Sequence, residues 1–195
     1  MKKYVVLIGS IIIMIIVVVF IGNYERMIAY NALPKYSTLT EEQIKKNVSI
    51  IGEKYTNKNV NCSISSNLNH LISTQEVIDY GSVLIPPQEL EGNRKIIFLE
   101  GDNSSFKKNL KPIQIYGIFD CFLYLKEKSI PFELYGICWV YTSGGISNSY
   151  SQKTLIRKTE FDELYNTTNF VGLTDEQVVK VLADKWIEQT EYIKQ

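Results

Sequence analysis

Residues 113–142 read IQIYGIFDCFLYLKEKSIPFELYGICWVYT. Ile113, Ile115, Phe119, Cys121, Leu123 and Leu125 stand at odd positions and alternate with Gln114, Tyr116, Asp120, Phe122, Tyr124 and Lys126. Successive side chains of a strand point to opposite faces, so this two-residue period predicts a half-buried strand. Glu127-Lys128-Ser129-Ile130 interrupts the pattern. It resumes with Phe132, Leu134, Cys138 and Val140 in one set and Glu133, Tyr135, Trp139 and Tyr141 in the other. A hairpin pairing Lys126 with Pro131 brings both apolar sets to one face and both mixed sets to the other. Gly144-Gly145 predicts a second turn, and Lys153 to Lys158 a third, returning strand.

Upstream, Thr38-Leu39-Thr40-Glu41 carries a helix-capping signal, a threonine oxygen being able to accept from free N–H groups of the first turn. Ile44, Val48 and Ile51 follow at spacings of four and three, one apolar stripe on a helix predicted to end near Lys54. The chain from Tyr55 to Asn69 is rich in Asn and Ser, with a short strand expected around Cys62-Ser63-Ile64. Val83-Leu84-Ile85 and Lys95–Leu99 read as strands, punctuated by Pro86-Pro87 and Glu91-Gly92-Asn93. At the end, Thr174 with Gln177 caps a helix lined by Val178, Leu182 and Trp186 and running to about Tyr192. These elements predict an α+β domain over residues 38–195, with a mainly antiparallel, meander-type sheet flanked by an N-terminal and a C-terminal helix.

The first residues add an expected membrane anchor. From Tyr4 to Gly22 the chain reads YVVLIGSIIIMIIVVVFIG, without a charge. As a helix this run is about 28 Å long, close to a hydrocarbon core of roughly 30 Å. A secretory signal has a shorter apolar core and small residues at its cleavage site, whereas Asn23-Tyr24-Glu25-Arg26 follows here. The expectation is a cytoplasmic N-terminus at 1–3, an uncleaved transmembrane signal-anchor helix at 4–22 and a juxtamembrane stalk at 23–37. The amino terminus, Lys2 and Lys3 precede the run, while Glu25 and Arg26 nearly cancel after it. The positive-inside rule therefore puts the C-terminal domain outside the cell membrane.

Composition narrows the chemistry. The chain is 45% hydrophobic and 22% charged, with zero formal net charge, so no charge excess steers it toward nucleic acid or anionic lipid. A single histidine excludes mechanisms that need two imidazoles. Glu100, Asp102 and Asn103, or Glu160, Asp162 and Glu163, lack the spacing of a calcium loop and read as solvated turns. The sequons at Asn47, Asn61, Asn103 and Asn166 match what abundant Asn and Ser produce by chance. Cys121 and Cys138 fall diagonally on one face of the predicted hairpin, where an oxidising exterior permits a disulfide, and burial as small hydrophobes is the alternative. No catalytic residue, metal ligand, cofactor or small-molecule substrate is assigned. The second face of the hairpin, with Tyr116, Asp120, Phe122, Tyr124, Glu133, Tyr135, Trp139 and Tyr141, mixes amphipathic aromatics with charges as interface hot spots do. It is the expected partner-binding surface, and a covering helix would make it core instead.

Two resemblances follow from these residues. Lys2-Lys3, the run Tyr4–Gly22 and the Tyr-rich stretch Ile113–Arg157 resemble the TipC family of Gram-positive immunity proteins. That resemblance implies an outward domain on a curved antiparallel sheet that neutralises a secreted toxin, and so a toxin as protein partner. His70, Cys138 and Arg157 resemble the order of active groups in sortases, which are anchored transpeptidases. Sortases carry threonine before the cysteine, where this chain has Ile137, and they finish on strands. The expected function is a non-enzymatic, membrane-tethered immunity protein; a subunit of an envelope, secretion or conjugation complex is the alternative, and a sortase-like enzyme a third.

Overall fold

The computed structural model describes residues 14, 17, 21–22, 24–56, 59–67, 77–79, 89–102, 113–144 and 149–190. In chain order its elements are α1 (residues 24–31), α2 (Glu41–Tyr55), β1 (Val60–Ser65), β2 (Val77–Asp79), β3 (Arg94–Asp102), α3 (Ile113–Lys126), β4 (Glu133–Gly144), β5 (Ser149–Arg157), α4 (Lys158–Thr167) and α5 (Asp175–Thr190). The strands form one mixed sheet in the order β1-β3-β4-β5-β2. β1 with β3 and β4 with β5 run antiparallel, whereas β3 with β4 and β5 with β2 run parallel.

This overturns the predicted meander. Residues 113–126 are not a strand but the central helix α3, and β4 pairs with β3 and β5 instead. Parallel neighbours cannot be joined by a tight turn, and α3 lies in the connection that carries the chain from β3 back to the start of β4. Nine of the fourteen residues of α3 are buried, among them Ile115, Phe119, Phe122 and Leu125. A helix buried on nearly every side has no polar face, so it loses the 3.6-residue signature and its apolar run can fall into alternation.

Parity also fails within β4. Lys95 lies opposite Leu134 but Ile96 opposite Gly136, so Tyr135 is the extra residue of a bulge. A bulge shifts the chain by one and exchanges the two faces. Phe132 and Leu134 before it, and Ile137 and Trp139 after it, all join the main core with Ile97, Leu99 and Ile156. Cys138 turns to the opposite face with Ile96, Phe98 and Leu90, flanked by Tyr135, Val140 and Leu155. Gly136 is required there: a Cβ would stand 2.6 Å from the Ile156 carbonyl oxygen.

The flanking helices follow the capping signals. Thr40 caps α2 with a reciprocal pair, its hydroxyl accepting from Gln43 N–H at 3.3 Å and its own N–H donating to Gln43 Oε1 at 2.8 Å. Thr174 and Gln177 make the same exchange at the start of α5. Val178, Leu182 and Trp186 face the core as predicted. The expected strands at Cys62–Ile64 and Lys95–Leu99 lie within β1 and β3, and Lys153 to Lys158 covers the end of β5 and the first residue of α4. The strand expected at Val83–Ile85 lies outside the described residues.

The expected transmembrane helix is corrected as well: among the described residues, no helix is long and apolar enough to cross a membrane. Of residues 4–22 only Met14, Val17, Ile21 and Gly22 are described, and the rest of that run lies outside. In the stretch expected as a stalk, α1 is followed by a segment that crosses to the end of α3. Leu39 N–H donates to the Ser129 carbonyl and Ser129 N–H to the Ser37 carbonyl.

Candidate functional site

The eight residues expected to form one binding face are dispersed. Trp139 and Phe122 are core side chains, with Trp139 wholly buried. Tyr116, Asp120 and Tyr124 recur every fourth residue of α3 and engage other segments of the same chain. The Tyr116 hydroxyl donates to Asp184 of α5 at 2.6 Å. Burial and that carboxylate push the Tyr116 pKa up to about 12. The Tyr124 hydroxyl accepts from Asn47 Nδ2 at 2.8 Å and donates to the Pro34 carbonyl at 3.2 Å, with the Lys128 ammonium over its ring. Glu133 and Tyr135 alone remain together at an open surface, and the Tyr141 side chain lies outside the described residues.

Asp120 is the centre of a buried polar cluster. Its carboxylate accepts from the Tyr30 hydroxyl at 3.0 Å on each oxygen, from the Tyr55 hydroxyl at 2.8 Å and from the Lys54 ammonium at 3.2 Å. The ammonium also stands 3.8 Å from the centroid of the Tyr30 ring. Lys54 and Tyr55 end α2, Tyr30 belongs to α1 and Asp120 to α3, so one carboxylate ties three helices together. A buried carboxylate needs this many donors, since an ionised oxygen without them is strongly disfavoured away from water. Burial first, then the Asp120 charge, raises the pKa of both Tyr30 and Tyr55 far above that of a free phenol. Both hydroxyls therefore hold their protons as donors. The cluster is positional: it docks α1 on the domain.

The open site is a cleft of about 350 Å³ at one end of the sheet's three inner strands, lined by Arg94, Glu133, Leu134, Tyr135, Arg157, Lys158, Thr159 and Asp162. It gathers the first residues of β3 and β4, the last of β5 and the first turn of α4. Arg94 Nε meets Glu133 at 3.0 Å with both side chains at least half exposed, and Lys158 pairs with Asp162. Glu160 turns back to accept from Arg157 N–H at 2.8 Å, satisfying the start of α4. Three cations and two carboxylates around Leu134 and Tyr135 make a mixed-charge surface with an apolar floor. Its make-up is similar to that of the polar rim of a protein interface.

Cys138 is wholly buried in the face opposite the helices, so no substrate reaches its sulfur. Arg157 lines the cleft, and His70 lies outside the described residues. Cys62, Cys121 and Cys138 are all free thiols, and Cys121 sits in the helix-side core while Cys138 belongs to the other face. Among the described residues no group of three or more His, Cys, Asp or Glu side chains is placed to hold a metal ion. No family model, no curated protein and no solved structure matches the chain.

Proposed function

We propose that this chain is an outward-facing binding protein of the immunity type, held at the cell membrane by its apolar N-terminal sequence, which neutralises a secreted toxin by contact. The carrying observation is the opposition of tether and cleft along α2. Asp120, bonded to Lys54 and Tyr55 at the C-terminal end of α2, also holds Tyr30 of α1, the helix that comes one residue after the charge-free run at 4–22. Glu41, the first residue of α2, pairs at 2.9 Å with Lys95, the neighbour of Arg94 in the cleft. The two ends of such a helix are about 21 Å apart at 1.5 Å per residue. Arg94 of the cleft therefore neighbours the end of α2 remote from α1, and we take that end to be the one a soluble partner reaches. Inhibition by contact needs a complementary surface and no catalytic group, and tethering concentrates the inhibitor where a toxin acts. The charge balance before and after residues 4–22 and the resemblance to the TipC family support the same reading. In this reading the cleft, and not a sheet face, is the recognition surface.

A protection assay tests this assignment. Cells carrying the full chain, or the full chain with Arg94→Glu and Arg157→Glu, are challenged with spent medium from a toxin-secreting strain. The native chain is expected to raise survival and the double reversal to lower it by about tenfold or more, as loss of central interface charges does. Lys180→Glu, on the exposed side of α5, is expected to change nothing. Equal protection by the native chain and the double reversal removes the cleft from the account.

A further inference from the structure

We infer that the face of α1 formed by Tyr24, Met27 and Ile28 lies against membrane lipid, so that α1 is held between the bilayer surface and the domain. The inference rests on the membrane reading above and adds where the membrane meets the folded part. α1 is divided lengthwise. With each helical residue turned by about 100°, Arg26, Ala29 and Tyr30 share one side, and Tyr24, Met27 and Ile28 share the other. The first set is half-buried against the domain, fixed by the Tyr30–Asp120 bonds. The second set is exposed, at 63%, 47% and 51% respectively, with Glu25 beside it and Asn31 at its end. This inverts the usual arrangement, in which the apolar side of a surface helix turns inward.

The chain itself names the occupant. The charge-free run ends at Gly22, two residues before Tyr24. A membrane that holds that run lies beside the next turn of the chain. Its headgroup layer is roughly 5–7 Å thick on each side, a depth that side chains on one face of a helix lying along the surface can reach. Tyrosine at this level matches the aromatic belt, with its ring in the apolar boundary and its hydroxyl toward water. A second copy of the chain is a poorer occupant, because three side chains fall well short of the roughly 800 Å² per partner that a stable protein interface buries. Because Asp120 fixes α1 to α2 and α3, the domain sits close against the headgroups.

Tryptophan placed on the face reads this out. The full chain, with Met27→Trp or Ile28→Trp, is reconstituted in phosphatidylcholine vesicles with and without brominated acyl chains, beside a Lys180→Trp control. The native Trp139 and Trp186 are buried and supply a constant background. Emission added at 27 and 28 is expected to fall about twofold in brominated vesicles, as befits a side chain ~5–10 Å into the headgroup–acyl boundary, with no change at 180. If the chain floats with the vesicles but 27 and 28 are not quenched, the lipid face is overturned and the membrane reading stands. If the chain does not float, the membrane reading itself fails. If Ile28→Cys chains crosslink to one another in the vesicles while 27 is unquenched, a second copy holds the face and the inference is wrong.

Discussion

The ring of Trp139 occupies the space that any side chain at Gly117 would need: a Cβ there would stand 2.5 Å from Cζ3 of Trp139. Trp139 belongs to β4 and Gly117 to the first half of α3, so this contact sets how closely the central helix lies on the sheet. Trp139 is wholly buried and cannot swing aside. Gly117→Ala is therefore expected to destabilise the domain by about 1–3 kcal/mol despite the better helix propensity of alanine. Trp139→Phe in the same chain should recover part of that loss, because the smaller ring makes room. Denaturant midpoints of the two single variants and the double variant measure the coupling, and additive effects would contradict the contact.

Removing one member of the Asp120 cluster is predicted to be far worse than removing its neighbour's hydroxyl. Asp120→Ala leaves the Lys54 ammonium in a part-buried site without its counter-charge and is expected to destabilise by about 3–5 kcal/mol. Tyr30→Phe deletes one hydroxyl and keeps the ring under the ammonium, so a loss of about 1 kcal/mol is expected. The two also differ in place. Hydrogen exchange should quicken across residues 24–31 in Tyr30→Phe while α2 and α3 stay protected, and uniform quickening would show that α1 is not separately docked.

Stability should fall on the alkaline side. Burial pushes the Cys62 thiol from 9.0 to about 12 and, with the Asp184 carboxylate, Tyr116 from 10.0 to about 12; Tyr30 and Tyr55 are raised further still. In each case the folded state holds its proton after the unfolded state has lost it. The stabilisation is complete below pH 9 and drains away as pH rises from 9 toward 12. Tyr55→Phe removes one such group and is expected to flatten the decline above pH 10 in urea titrations at stepped pH.

The cysteines are predicted to be free and slow. With Cys121 and Cys138 buried and the Cys62 and Cys121 thiols shifted upward, little thiolate is present at pH 8. A thiol reagent should react sluggishly with the native chain and with three thiols per chain after denaturation. One thiol after denaturation would mean a disulfide and would contradict the separation of Cys121 and Cys138 onto different faces. Cys138→Ala should weaken packing and leave toxin protection unchanged.

What the sequence reveals of this fold is what a few adjacent residues encode. The helix starts at Thr38–Glu41 and at Thr174 with Gln177 are legible because a capping signal lies within four residues, although the first box closes between Thr40 and Gln43. The nature of α3 is hidden because burial on nearly every side erases helical periodicity. The faces of β4 are misread because one extra residue, Tyr135, reverses parity and leaves no mark in composition. Strand order is hidden for another reason: pairing of β3 with β4 depends on contacts between distant segments. For the site, Glu133 and Tyr135 were legible as exposed polar and aromatic residues, whereas Arg94, Lys158 and Asp162 join them only through the sheet's register. Asp120 did carry a usable signal. It is the one charge between Ile113 and Leu125, and a lone carboxylate in so apolar a run implies buried partners.

The most direct test of the central claim is a growth competition at high density on a surface between wild-type cells and a mutant lacking this chain, under conditions where the toxin is secreted. The mutant is expected to be depleted only beside wild-type neighbours, and to be restored by the full chain but not by the Arg94→Glu, Arg157→Glu chain. Equal growth of mutant and wild type in the mixture would contradict immunity and turn attention to stable partners in the membrane.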